Sequence, residues 1–354
     1  MYAPEGESPL RGSIENNAPA TDKYFGHHCL LPIRGYDLAN WGDIMKRLRV
    51  VVSLITQDND YQVEQASAAE DAARRLGVDL QVLYADGDSI QQSQQILKFV
   101  QADPDSRPDG IVFEPVGGPA LPQVGRAAVA AGISWVVLNR EVEYVKQLRQ
   151  AFKVPVFMVA SDNQEIGRLQ GRQLGALLPN GGSVLYIQGP AETDASKLRT
   201  AGMYETKPVN VQVKTMKGSW TEASAFKAIT AWLKLSTSQQ SHVDVIAAQN
   251  DAMAAGAKKA FQQFSYEGEG RDRWVSLPFL GVDGVPKTGQ AWVRSGVLAA
   301  TVIAPALSGT ALEMLVRALQ TGSNPPELTL IEPHSFPALE SIKAAPSKTS
   351  RAGA

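Results

Sequence analysis

The chain reads as an α/β protein of two doubly wound lobes, each a parallel sheet with helices on both faces, joined by a three-strand hinge. Three observations predict this. Short β-branched apolar runs alternate with helical patterns over most of the sequence, which implies parallel strands linked by crossover helices. At 354 residues the chain exceeds one ordinary core and accommodates two. The apolar runs also end in polar clusters, where open sheets of this kind place their ligands.

The elements follow in order. Residues 1 to about 36 are rich in Pro, Gly, Asn and Ser and lack periodicity, and DLANWGDIMKRL (37–48) reads as one short amphipathic helix. RVVVSLI (49–55) is a buried strand by its β-branched content. A helix follows, with Val63, Ala66, Ala69, Ala73 and Leu76 at helical spacing and Gly77 as its stop. Next come VDLQVLYA, a helix through Ile90, Leu97 and Val100, GIVFEPV, a helix ending at Gly132, and ISWVVLN. A second block repeats the pattern: VPVFMVAS, a helix over 164–178, SVLYIQG, a helix near 195–207, VNVQVKTM, a helix from Thr221, then VDVIAAQ and its helix. SLPFLGVDG and VLAATVI, a helix over 307–320 and LTLIEPH complete it. The expected division is an arm with a short helix over 1–48, a first lobe of 49–139 plus 304–330, a second lobe of 140–303 plus 331–342, and a disordered tail over 343–354.

Composition narrows the function. A formal net charge of −2 favours neither nucleic acid nor an anionic membrane. The single cysteine, Cys29, excludes an internal disulfide framework. No apolar run approaches the roughly 20 residues of a membrane span, and the first 48 residues offer only CLLPI where a secretory leader needs a longer core. No cofactor and no metal are expected. HHC (27–29) lacks the partner spacing of a metal site.

The strand ends form a set. TQDNDYQ (56–62), EPVGGP (114–119), NRE (139–141), QGPAETD (188–194) with Arg199, GSW (218–220), QND (249–251) and VDG (282–284) bring amides, guanidinium groups, carboxylates, Tyr61 and Trp220 toward one cleft. Such groups bond hydroxyls as donors and acceptors, and flat rings suit the C–H faces of a sugar. The set therefore suits a polyol. Taken singly, each polar strand end reads more readily as a helix cap, Asp251 in particular.

These residues resemble a known family. AAQNDAMAAGA, VASDNQEIGRLQGRQL, KLRTAGM, FLGVDG and VLAATV together look like a type I periplasmic sugar-binding protein, of the ribose/galactose-binding group with the LacI-type effector-domain fold. The resemblance runs from about 49 to 340. It implies ligand-binding roles for Asn59, Tyr61, Gln62, Arg140, Arg199, Trp220, Asn250 and Asp283, with Tyr61 and Trp220 sandwiching the sugar. It implies chain crossings near 140, 304 and 330 that act as a hinge. It also implies a monomer that serves an ABC permease, without catalysis, nucleic acid or membrane insertion, in the periplasm; a cytoplasmic location stays open, since no leader is read. The sequence departs from the family's pattern at Gln62, where a stacking ring is usual, at Gly117 and Gly118 after the third strand, and at Ile303, Ala304 and Pro305, where a glutamine is common.

Two rivals remain at this point. A sugar-sensing protein, either a LacI-like regulator or a sensor-kinase partner, would share the core; a regulator needs a helix-turn-helix, and residues 1–48 supply one helix. For an enzyme, no G-x-G-x-x-G follows the first strand and no Walker loop or G-x-S-x-G elbow is present. Glu114 beside Pro115 fits a hydrogen-bonded strand end better than a general acid.

Overall fold

A computed structural model describes residues 47–117, 120–239, 241–265 and 270–345. Residues 37–46 of the expected arm helix, Gly118 and residues 346–354 of the expected tail lie outside these residues.

The first half runs β1 (Arg49–Leu54), α1 (Asp60–Leu76), β2 (Asp79–Tyr84), α2 (Ser89–Val100), β3 (Gly110–Phe113), α3 (Pro122–Ala130), β4 (Ser134–Leu138), α4 (Tyr144–Ala151) and β5 (Val156–Ser161). The second runs α5 (Asn163–Leu177), β6 (Gly182–Gln188), α6 (Asp194–Thr206), β7 (Val211–Lys217), α7 (Glu222–Leu233), α8 (Ser236–Gln239), β8 (Val245–Ala248), α9 (Asp251–Gln263), α10 (Gly270–Val275), β9 (Phe279–Asp283), α11 (Gly289–Arg294) and β10 (Ala300–Ile303). The chain then returns through α12 (Leu307–Thr321), β11 (Leu328–Ile331) and β12 (His334–Phe336).

Two six-stranded sheets result, in the orders β11-β5-β4-β3-β1-β2 and β12-β10-β9-β8-β6-β7. All pairings are parallel except the edge pair β10–β12. Each lobe packs helices on both sheet faces. In the first, Val50, Val52 and Leu54 of β1 join the cluster with Ala66, Ala69, Leu312 and Leu315, whereas Val51 joins the opposite cluster with Ile96, Val124 and Trp135. The two-residue period of the strand thus survives inside a run that is apolar throughout.

One expected boundary is corrected. VPVFMVAS does not open the second lobe: β5 pairs in parallel with β4, Trp135 opposite Val156, and with β11, Leu328 opposite Met158. The cause is α4, a helix not read in the sequence. Its Val145 and Leu148 are buried, so the segment after 140 is a crossover that returns the chain to the same sheet rather than a hinge. The lobes exchange chain between Ser161 and Asn163, between Ile303 and Leu307, and between Ile331 and His334.

Helix α1 shows the local logic. Asn59 caps it, with Oδ1 accepting from Tyr61 N at 2.9 Å and Gln62 N at 3.4 Å, and Gly77 ends it at φ 67°. Its small-residue face, Ala66, Ala69, Ala72 and Ala73, lies buried. Val63 and Leu76, expected on that face, are instead 50% and 36% exposed. The alanines let the backbone lie close to the sheet, and the larger side chains sit to either side.

Candidate functional site

The carboxyl ends of both sheets face one cleft of about 880 Å³, within the ~300–1,000 Å³ usual for small-molecule sites. All eight residues proposed from the sequence line it: Asn59, Tyr61, Gln62, Arg140, Arg199, Trp220, Asn250 and Asp283.

The wall from the second lobe is a charged network. Arg199 on α6 is 5% exposed; its Nε donates to Asn163 Oδ1 at 2.9 Å and its Nη1 to the Gln249 carbonyl at 2.5 Å. Nη1 also lies 4.0 Å from Asp283 Oδ1. Asp283 has φ 101°, a strained backbone for a residue with a Cβ. The following turn is held from behind by Asp251, whose Oδ2 accepts from Gly284 N at 2.8 Å while Oδ1 accepts from Thr301 Oγ1 at 2.7 Å. The fit is close enough that a Cβ on Gly281 or Gly289 would stand 1.9 or 2.0 Å from an Asp251 oxygen.

Trp220 is half-buried at φ 64°. Asn250 Nδ2 donates to its carbonyl at 2.8 Å, and the Arg199 guanidinium lies 5.4 Å from its ring centroid. The ring lies over Gly189, where a Cβ would meet it at 2.2 Å.

The three polar residues that end β8 therefore divide their work. Gln249 is structural: Oε1 accepts from Gly189 N, and Nε2 donates to Tyr186, Ser196 and Thr200 oxygens. Asn250, not Asp251, caps α9, accepting from Met253 N at 2.9 Å. Asp251 props the Asp283 turn. A residue expected to touch ligand thus spends its oxygen on a helix start and one amide hydrogen on Trp220. Asn59 likewise uses its oxygen as a cap, which leaves its amide nitrogen for a ligand.

The wall from the first lobe is built of amides around one carboxylate. Glu114, just past β3, is 5% exposed. Its Oε2 accepts from Gln62 Nε2 at 2.8 Å and its Oε1 from Asn139 Nδ2 at 3.1 Å. The Gln62 amide is fixed in orientation because its Oε1 accepts from Ile55 N at 2.9 Å. Gln92 ties the same strand end from below, donating to the Glu114 carbonyl at 2.8 Å. The amide that replaces a stacking ring at position 62 is therefore the partner of Glu114.

Tyr61 differs from its expected role as an open stacking face. Its ring is 8% exposed and belongs to a cluster with Ile166, Leu169, Val282, Val285, Val302 and Ala304 of the second lobe and the crossings. Its hydroxyl donates to the Pro305 carbonyl at 3.3 Å. Trp220 is the more exposed of the two rings.

Burial dominates the electrostatics. It pushes Asp283 up to about 7, against the pull of Arg199, with Glu114 and Asp60 adding to the rise. Asp251 is raised well above the carboxylate range by burial and then by Asp283. Glu114 is raised by burial and drawn back by the Gln62 and Asn139 amides and the charge of Arg140. Burial also raises the Tyr61 phenol, so it remains a neutral hydrogen-bond donor.

The sequence reading missed Asn163, which orients Arg199; it brought Glu114 and Asn139 to the cleft among the strand ends without giving either a binding role. Signals existed: Asn163 ends the ASDN segment, and Glu114 and Asn139 each sit one residue beyond a strand, as Asn250 nearly does.

The match to the periplasmic binding protein domain family runs over residues 50–324. The chain belongs to that family. It is a solute-binding protein, with the two-lobed α/β fold of its relatives. This periplasmic binding protein is 30% identical over 219 residues to a putative rhizopine-binding protein of Rhizobium meliloti, covering 59% of this chain and 66% of that one. It is 26% identical over 290 residues to a D-apiose import binding protein of Paraburkholderia graminis, covering 79% and 85%. In structure it is similar to an ABC transporter periplasmic solute binding protein from Actinobacillus succinogenes bound to D-allose, at TM-score 0.70 and 19% identity, covering 84% of this chain and 99% of that one. No helix among the described residues is long and apolar enough to cross a membrane.

Proposed function

We propose that this periplasmic binding protein captures a sugar or related polyol between its lobes, closes over it by bending at the three crossings, and delivers it to an ABC importer outside the cytoplasm. The observation that carries this reading is the composition of the cleft: two walls, one from each lobe, offering donors and acceptors in pairs around a half-exposed indole. Asn59, Arg140, Arg199 and Asp283 bond the hydroxyls, and Trp220 lies against a C–H face. Closure needs differential contacts, and a ligand that touches both walls supplies them. Once water leaves, each cleft group left without a hydroxyl partner costs about 1–3 kcal/mol, which is the source of selectivity.

The relative named for D-apiose and the neighbour holding D-allose support a polyol as the ligand class. In this reading the protein acts as a monomer, without catalysis and without nucleic acid. The test is a thermal-shift screen against pentoses, hexoses, furanoses and inositols. A raised melting temperature with one of them, followed by X-ray scattering that contracts on its addition, is the expected result. A full panel without a shift overturns it.

A further inference from the structure

The second crossing is held by a side chain that the cleft does not use. Helix α12 begins at Leu307, and its N-cap is Ala306, which has no side-chain oxygen to take up the first amides. The cap comes from α1 instead. Gln65, fully buried, accepts with Oε1 from Leu307 N at 2.7 Å and Ser308 N at 2.9 Å, and its carbonyl accepts from the Ser308 hydroxyl. One turn earlier on the same face of α1, Tyr61 donates to the Pro305 carbonyl. Pro305, Leu307 and Ser308 are thereby tied to the first lobe.

The other end of the crossing is tied to the second lobe. Ile303 closes β10 opposite Asp283, and Ala304 N donates to the Asp283 carbonyl at 3.1 Å. Between these anchors only the torsions of Ala304 and the ψ of Pro305 remain, because the proline ring fixes its own φ. Gln65 also reaches toward the cleft. Its Nε2 has no partner at hydrogen-bond length, yet it lies near enough to Glu114 to draw that carboxyl down against the rise from burial. One side chain thus stands between a cleft wall and a pivot.

We propose that Gln65 is a positioning residue for lobe closure: with Tyr61 it confines bending at the second crossing to Ala304 and Pro305, so that the two walls meet in one register. The proposal rests on the closure reading and deepens it. Without Gln65 the first turn of α12 loses its anchor, and the bending segment lengthens to 304–308.

A helix cap alone and a clamp make different demands. A cap can be supplied locally: Ala306 is half-buried at φ −65° and ψ 128°, the extended backbone of an N-cap residue. Serine there caps α12 and ties nothing to α1.

The test is electron–electron distance spectroscopy on the ligand-free protein. Spin labels are placed by Ile90→Cys and Leu235→Cys, exposed sites on the first and second lobes, in a Cys29→Ser background. The span of a free segment grows roughly as the square root of its length, so Gln65→Leu broadens the interlobe distance distribution by about one half. Gln65→Leu with Ala306→Ser regains melting temperature and stays broad. Where Gln65→Leu fails to fold, Tyr61→Phe with Ser308→Ala, which releases the clamp's other side-chain bonds, carries the same expectation of a broader distribution. A distribution of wild-type width in the folded variant, or one that Ala306→Ser narrows along with the recovery in melting temperature, overturns the proposal. No ligand enters the comparison, so a sugar panel without a hit bears on the site reading and leaves this one standing.

Discussion

The two walls of the cleft solve one problem in different ways. Both must hold buried polar groups ready for a ligand. The second-lobe wall does it with charge and tight packing: Arg199 pairs with Asp283, Asp251 holds the turn behind Asp283, and glycines at 281 and 289 let the backbone press against Asp251. The first-lobe wall does it with amides: Gln62 and Asn139 hold Glu114, and Asn59 starts the helix that carries Gln62. A charged brace is strong and fails badly when one member is removed; an amide brace is weaker and degrades by degrees. The second wall is thus a fixed template and the first an adjustable one.

The largest break in this comparison is Arg199→Met. Removing one partner of a buried ionic network costs about 3–5 kcal/mol of stability, so the melting temperature drops, and the lost charged donor lowers ligand affinity roughly tenfold to a hundredfold, the scale of about 1.5–3 kcal/mol. A calorimetric affinity within tenfold of wild type would show that the network is not a unit. Asp283→Ala and Trp220→Ala come next, each weakening binding roughly tenfold or more, the scale of about 1–3 kcal/mol for a lost buried partner, with the fold retained by circular dichroism. Gly281→Ala tests packing without touching the ligand. Its Cβ would stand 1.9 Å from Asp251 Oδ1, and overpacking of this kind costs about 1–3 kcal/mol in denaturant unfolding.

On the first wall, Gln62→Leu removes the bond to Glu114 and the bond from Ile55 N, and the bond to the charged acceptor is a loss of roughly 1.5–3 kcal/mol in principle, softened because Asn139 still holds Glu114. An effect equal to Arg199→Met would erase the distinction between the walls. The smallest expected effect is in pH. Asp283 holds its proton to about 7 when folded, whereas the unfolded side chain loses it near ~3.9. Between these values the folded state binds more protons than the unfolded one, so the ligand-free protein loses stability as pH rises through that window and levels off above it. Melting curves from pH 5 to 8 should show this slope, and Asp283→Asn should flatten it.

Much of this was legible in the sequence. The apolar runs at 49–55, 183–189 and 243–249 and the small-residue helices between them fix two parallel sheets, because few other folds bury such strands on both faces. What was not legible came from groups with two uses. Asn59 and Asn250 look like ligand amides and also cap helices; only coordinates show the cap taking the oxygen. Tyr61 looks like a stacking ring, but its depth depends on residues far along the chain, as distant as Pro305 at the second crossing. The first crossing was misplaced because YVKQLRQA, with only Val145 and Leu148 buried, carries a weak helical signal. Glu114 stayed in the background because its importance lies in what surrounds it, and Gln62 and Asn139 reach it from two other strand ends.

The burial of Tyr61 has a mechanical consequence. A first-lobe side chain wedged among aliphatics of the opposite lobe, with its hydroxyl tied to Pro305 in a crossing segment, works as a travel stop. To gape widely, the molecule has to pull that ring out into water and forfeit its bond. In the proposed closure, the swing of the lobes is thereby bounded.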